Sequence, residues 1–152
     1  MTKVKAFLDT NVFIDVLLGA RPSTDASAQI LEAVRLGLIE ATLSTQSILD
    51  AAYAVRKQSG KQEFYHFTEW AISHINMDYI TSFDIAQAIR DNSGDFEDDA
   101  QYSLAISAMC DYYVTSDKKL IARHTNGDPE IQVITPEEFV VKLKAKSAAK
   151  QS

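Results

Sequence analysis

The chain predicts an α/β fold: a doubly wound, mostly parallel sheet of four or five strands with helices on both faces. Three observations carry this. Short apolar runs of strand length alternate with longer stretches whose apolar residues recur at helical spacing. The alternation runs the whole length without repeat or interior linker. And 152 residues, 46% hydrophobic and 24% charged, are enough to bury a core without disulfides.

The elements follow in order. "VKAFL" at 4–8 reads as a short buried strand. From Val12 to Leu18 apolar positions 13, 14, 17 and 18 predict a helix, ended by Gly19 and Pro22. "STDASAQILEAVRLG" predicts a second helix, capped by Ser23 or Thr24 and closed by Gly37. "LIEATLS" at 38–44 is a second strand. "TQSILDAAYAVRKQSG" and "KQEFYHFTEWAISHI" give two amphipathic helices broken at Gly60. "MDYI" at 77–80 is a third strand, followed by a helix through "SFDIAQAIRD" with Ser82 as its cap. "FEDDAQYSLAISAM" predicts a helix, "DYYVTS" a fourth strand, "IQVIT" a fifth, and "PEEFVVKLKAK" a last helix with Pro136 in its first turn. Residues 1–146 are expected to form one domain and 147–152 a disordered basic tail.

Composition bounds the function. Formal charge is -6, and without Lys142, Lys144, Lys146 and Lys150 the balance is 21 acidic residues to 11 basic. Such a body does not hold nucleic acid by non-specific charge; a polyanionic ligand needs cations or a second subunit. The single cysteine, Cys110, lies in an apolar run and is expected to be buried, so no disulfide framework exists. The apolar part of "MTKVKAFLD" is too short for a signal peptide, and no run approaches the roughly 20 residues of a spanning helix. A cytoplasmic protein with no membrane partner is expected.

In a doubly wound sheet, ligands gather at the carboxyl ends of the strands. Asp9 directly follows the first strand and Asp117 follows the fourth, while Asp98 opens the helix feeding that fourth strand and Asp50 lies six residues past Ser44. Each alone reads equally as a helix cap or a solvated acid. Asp50 is harder to explain so, because it interrupts an otherwise apolar helix. Carboxylates sharing a pocket repel one another and invite protonation or a hard cation such as Mg²⁺ or Mn²⁺. Such an ion can polarise a phosphodiester and make a water more acidic.

These segments, "VKAFLDTNVFIDVLLG", "LSTQSILDAAY", "DFEDDAQYSLAI", "DYYVTSDKKL" and "IQVITPEEFV", together resemble the PIN-domain superfamily over nearly the whole chain. The resemblance implies a three-layer α/β/α sandwich and a Mg²⁺- or Mn²⁺-dependent endoribonuclease, many such proteins being VapC-type toxins of type II toxin-antitoxin pairs. The family's acids fall on Asp9, Asp50, Asp98 and Asp117 as catalytic residues. Asp9, Asp98 and Asp117 would ligate the metal, supported by Asn11 and by Ser116 or Thr115. Asp50 stands where the family usually has Glu, and Asp95 or Asp99 could replace Asp98 if the register slips a turn. The implied partners are RNA, a small antitoxin and a second copy of the chain.

Lys118, Lys119, Arg123 and Arg21 are candidates for RNA phosphate contact, each equally readable as part of a solvated mixed-charge surface. His66, His74 and His124 show no metal spacing. Phe64, Tyr65, Phe67 and Trp70 crowd one helix, some for the core and others for a dimer or antitoxin surface. The competing expectation is a PIN-fold binding or scaffold module with a weakened site. An aspartyl-phosphate phosphohydrolase is disfavoured, since Asn11 stands where its second acid would be.

Overall fold

The computed structural model describes residues 3–58, 60–125 and 130–151. Strand β1 (Val4–Leu8) leads into helix α1 (Thr10–Leu18), then α2 (Thr24–Arg35), β2 (Ile39–Ser44), α3 (Thr45–Val55), α4 (Lys61–His74) and β3 (Asn76–Asp78). The second half runs α5 (Ser82–Asp91), α6 (Phe96–Ser107), β4 (Tyr112–Val114), α7 (Lys118–Arg123), β5 (Gln132–Ile134) and α8 (Pro136–Gln151). The five strands order as β3-β2-β1-β4-β5 and every pairing is parallel. This is the predicted α/β/α sandwich, all parallel where a mostly parallel sheet was expected.

The pleat assigns the layers. Ala6 and Leu8 face one core with α1, α2, α4 and α8; Phe7 and Tyr113 face the other with α6 and α7. Phe7, Phe13, Tyr113 and Phe139 are almost fully buried, each contributing about 1.5–3 kcal/mol relative to exposure. Helix α2 ends in a paired turn in which Gly37 N–H donates to Val34 C=O and Leu38 N–H to Ala33 C=O, with Gly37 at φ +73°. Helix α6 ends in the same way with Met109 at φ +60°, so both returns to the central strands use one device.

Several boundaries differ from the sequence expectation. Helix α1 starts two residues early because Asp9 caps it. Thr81, not Ser82, caps α5, through a box shared with Asp84. Ser23 forms no cap bond; its hydroxyl donates instead to Glu137 at 2.6 Å, tying α2 to α8. Helix α8 continues through residues 147–151, where a disordered tail was expected, because Ala and Lys are strong helix formers. Helix α7 was missed: six residues are too few to show a period. Cys110 is buried as expected, and burial pushes its thiol up to about 11. Among the described residues, no helix is long and apolar enough to cross a membrane.

Candidate active site

Strand order reverses between β1 and β4, one chain excursion running outward from β1 to β3 and the other from β4 to β5. At such a switch point the loops diverge and leave a crevice above the strand ends. Asp9 leaves β1 there, and its backbone N–H still donates to Val114 C=O on β4 at 3.0 Å. Its side chain is buried and doubly held. Thr10 N–H donates to Oδ1 at 2.7 Å, and Thr115 Oγ1–H donates to Oδ2 at 2.7 Å.

Thr115 is fully buried and links the two strand ends. While donating to Asp9, its hydroxyl oxygen accepts from Asp117 N–H at 3.0 Å. Asp117 then caps α7, one oxygen accepting from Lys119 N–H at 2.9 Å and Leu120 N–H at 3.3 Å. Its other oxygen takes no hydrogen bond among the described residues.

The third contributor is the start of α6. Asp95 caps the helix, its Oδ1 accepting from Asp98 N–H at 3.3 Å, which brings two carboxyl groups together across one turn. One carboxylate oxygen each from Asp95, Asp98 and Asp117 lie within 4.8 Å of one another. Burial, the hydrogen bond with Asp95 and the charges of Asp95, Asp9 and Asp117 push the Asp98 carboxyl up to about 8. The same hydrogen bond holds Asp95 below the usual carboxylate range. Asp9 is raised too, first by burial, against the lowering effect of Thr115 and Thr10, with the Asp117 and Asp15 charges adding to the rise. The raised Asp98 and lowered Asp95 favour a proton shared between the two carboxyl groups. The oxygen-only donor set and the charge deficit fit a hard divalent cation in place of that proton.

Of the residues singled out in the sequence, Asp98 and Asp117 meet directly, and Asp9 lies close enough for its charge to act on Asp98. Asp95 is the addition: the sequence offered it as a substitute for Asp98, whereas the structure uses both. The legible signal was the three-residue spacing of a cap and the residue whose N–H it accepts. Asp50 is not in this group. It is half-buried on α3, accepting from Gln46 Nε2–H at 3.0 Å, one turn beyond Ser47, whose Oγ lies 2.6 Å from that of Thr10. Asn11 and Ser116 are half-buried, but the hydroxyl that ties Asp9 to Asp117 belongs to Thr115.

The basic candidates divide. Arg21 is engaged through one nitrogen, its Nε 2.7 Å from Oδ1 of the buried Asp15. Arg123 lies 3.8 Å from Asp99. Lys118 and Lys119 are exposed in the first turn of α7 beside Asp117. None of the three histidines joins the acid cluster. His74 stacks on Trp70 and His124 on Tyr102. Phe64, Phe67 and Trp70 pack against the core, leaving Tyr65 exposed under Lys61.

A family model described as PIN domain matches residues 5–119. Among solved structures, the PAE2754 protein of Pyrobaculum aerophilum superposes with a TM-score of 0.64 at 16% identity, covering 93% of this chain and 90% of that one. VapC20 of Mycobacterium tuberculosis, named a sarcin-ricin loop cleaving toxin, gives 0.63 at 10% identity over 78% and 94%. A toxin-antitoxin complex from Klebsiella pneumoniae gives 0.63 at 21% identity over 86% and 97%. At these identities the likeness is one of fold. No curated protein sequence matches the chain.

Proposed function

Because the chain belongs to the PIN-domain family, we propose that it is a Mg²⁺- or Mn²⁺-dependent endoribonuclease that hydrolyses RNA phosphodiester bonds, acting as the toxin of a type II toxin-antitoxin pair. The observation that carries this reading is the meeting of Asp95, Asp98 and Asp117 at the sheet's switch point, with Asp9 held against them through Thr115. Its support on the biological side is that similar folds occur in a toxin named for cleaving the sarcin-ricin loop and in a toxin-antitoxin complex.

Asp98 and Asp117 would hold the cation, with Asp9 and Asp95 completing its oxygen environment. When bound, Mg²⁺ or Mn²⁺ supplies Lewis-acid polarisation of the scissile phosphate and a water acidic enough to act as nucleophile near neutral pH. The protein's own contribution is orientation. Backbone N–H groups at the start of α7 fix one oxygen of Asp117 and so orient its carboxylate beside the cluster. Thr115 keeps Asp9 and Asp117 in register across two strands. Lys118 and Lys119 stand beside the cluster, where their charge draws the RNA backbone toward an otherwise acidic body. Asp50, on the face of α3 that approaches Thr10, acts at the rim as an orienting group. Tyr65 and Ile72 leave apolar surface on α4 for a second copy or an antitoxin.

The test is cleavage of a structured RNA by the purified chain with Mn²⁺, with EDTA, and in Asp98→Asn. Cleavage that requires the cation and falls by two or more orders of magnitude in the variant supports the reading; EDTA-resistant cleavage, or a fully active variant, overturns it.

A further inference from the structure

At the edge of the sheet opposite the acid cluster, the molecule leaves an apolar groove with a basic rim. Helix α8 starts where β5 ends and runs back along the sheet, so its C-terminal half lies beside the first residues of β1 and β2. Ala33, Leu36, Leu38, Val140 and Leu143 line a shallow groove of about 300 Å³ between α8 and the turn from α2 to β2. The groove shares Ala33, Leu38 and Leu143 with a recess of about 160 Å³ that reaches Val4 and Ile39. Leu36 and Leu38 are 56% and 64% exposed, and the turn between them uses only their backbone groups.

The rim is made of lysines. Lys3, Lys146 and Lys150 border the recess, with no acid among the described residues that line it, and Lys144 borders the groove. All four are exposed, and none takes part in an ion pair among the described residues. Glu32 also lines the groove but already accepts from Arg35 Nε–H at 2.8 Å. In a chain of 21 acidic and 15 basic residues, four unpaired lysines and one paired acid around a single groove reverse the overall balance. Helix α8 points the same way. Its residues 144–150 are all exposed, so these last turns bury nothing in the body. Lys142, Lys146 and Lys150 recur at i, i+4 and i+8, a spacing at which like charges weaken a helix. An anionic partner laid along this face relieves that repulsion.

Floor and rim together select the occupant. A helix seated in a groove inserts apolar anchors at i, i+3, i+4 and i+7, and its flanks meet the rim. From Val140 to Lys150 the groove follows α8 for about 15 Å, the length of about ten helical residues. A nucleic acid would satisfy the lysines and leave the floor bare, since no aromatic side chain lines it for a base to stack on. We propose that this groove docks an acidic amphipathic helix of a partner protein, its apolar side chains entering between Leu38 and Leu143 and its carboxylates meeting Lys3, Lys144, Lys146 and Lys150. The groove lies at the opposite edge from the acid cluster, so the proposal stands apart from the nuclease reading.

The experiment is fluorescence anisotropy of a labelled helical peptide with Leu at i, i+3, i+4 and i+7 flanked by Glu, titrated with the full chain, Leu38→Glu and the double variant Lys146→Glu/Lys150→Glu. Competitors are the same peptide with Lys for Glu, a single-stranded RNA, and vesicles containing an anionic lipid. The expected result is saturable binding below about 100 μM that weakens with salt and falls at least about tenfold in both variants. The competitors should leave the peptide bound. No saturable binding by the unaltered chain overturns the proposal, and so does equal binding by the variants. Displacement by RNA or vesicles also overturns it, giving the groove to a polyanion or a lipid surface. A dimer in sedimentation that Leu38→Glu dissolves gives it instead to a second copy. If Leu38→Glu does not fold, the double lysine variant, altered only at exposed positions, decides alone.

Discussion

Two sets of acids in this molecule, one buried and one half-buried, look alike in composition and differ in what surrounds them. Asp15 and Asp84 are the more deeply buried, at 2% and 1% exposure. Each is supplied with donors. Asp15 receives Arg21 Nε–H at 2.7 Å and Ser27 Oγ–H at 3.1 Å, and Asp84 receives Thr81 N–H, Thr81 Oγ1–H and Ser103 Oγ–H at 2.9, 3.1 and 2.7 Å. They tie α1 to α2 and α5 to α6. Asp95, Asp98 and Asp117, less buried, face one another instead. A carboxylate buried among donors is a structural fastener; half-buried carboxylates that face one another are where a divalent cation would be held. The supply of donors sets Asp15 and Asp84 apart from Asp98, whose carboxyl faces the charges of Asp95, Asp9 and Asp117.

Substitutions should therefore split along that line, and the largest effect is expected within the acid cluster. Asp117→Asn and Asp98→Asn should lower RNA cleavage by at least about 100-fold while leaving metal-free stability equal or higher, because repulsion is removed. Cleavage assays paired with urea unfolding check this. Asp15→Leu and Asp84→Leu should do the reverse. Each is expected to cost about 2–4 kcal/mol of stability by stranding buried hydroxyls, the outcome at Asp15 being at the low end because Arg21 is partly exposed, with Mn²⁺ affinity of the folded protein unchanged.

The pH dependence sharpens the contrast. Asp98 is raised from 3.8 to about 8 on folding, so between those values the folded chain binds more protons than the unfolded one. Stability of the metal-free protein should fall as pH rises through that window, and the slope should flatten in Asp98→Asn or with saturating Mn²⁺. Mn²⁺ affinity should rise with pH up to about 8 as the competing proton leaves. Thermal melts from pH 5 to pH 9, with and without Mn²⁺, measure both. The smallest effect is expected at Asp50, held by Gln46 outside the cluster. Asp50→Asn should slow cleavage by less than about tenfold without moving Mn²⁺ affinity, placing it at the rim rather than among the ligands; an isotherm that changes would move it inward.

Much of this layout is legible along the chain. The strand-then-acid pattern at Leu8–Asp9 and again before Asp117 reads directly, because alternation of strands and helices dictates which ends share an edge. Asp95 reads along the chain only as an alternative to Asp98, because capping geometry brings the two together only once α6 is formed. Arg21 reads as a free surface charge until the turn after α1 folds it back on Asp15, and nothing in its neighbours announces that. Periodicity locates elements well. Pairwise tertiary contacts between side chains far apart in sequence are not encoded in any local pattern.

The central claim is that a divalent cation belongs among these acids. The most direct test is a crystal soaked in Mn²⁺ at pH 8, with anomalous diffraction locating the ion. The account predicts a peak bounded by Asp98 and Asp117, with oxygens at about 2.1–2.2 Å, and no such peak in Asp98→Asn. An empty cluster in the unaltered protein, or manganese bound only elsewhere on the surface, would contradict it.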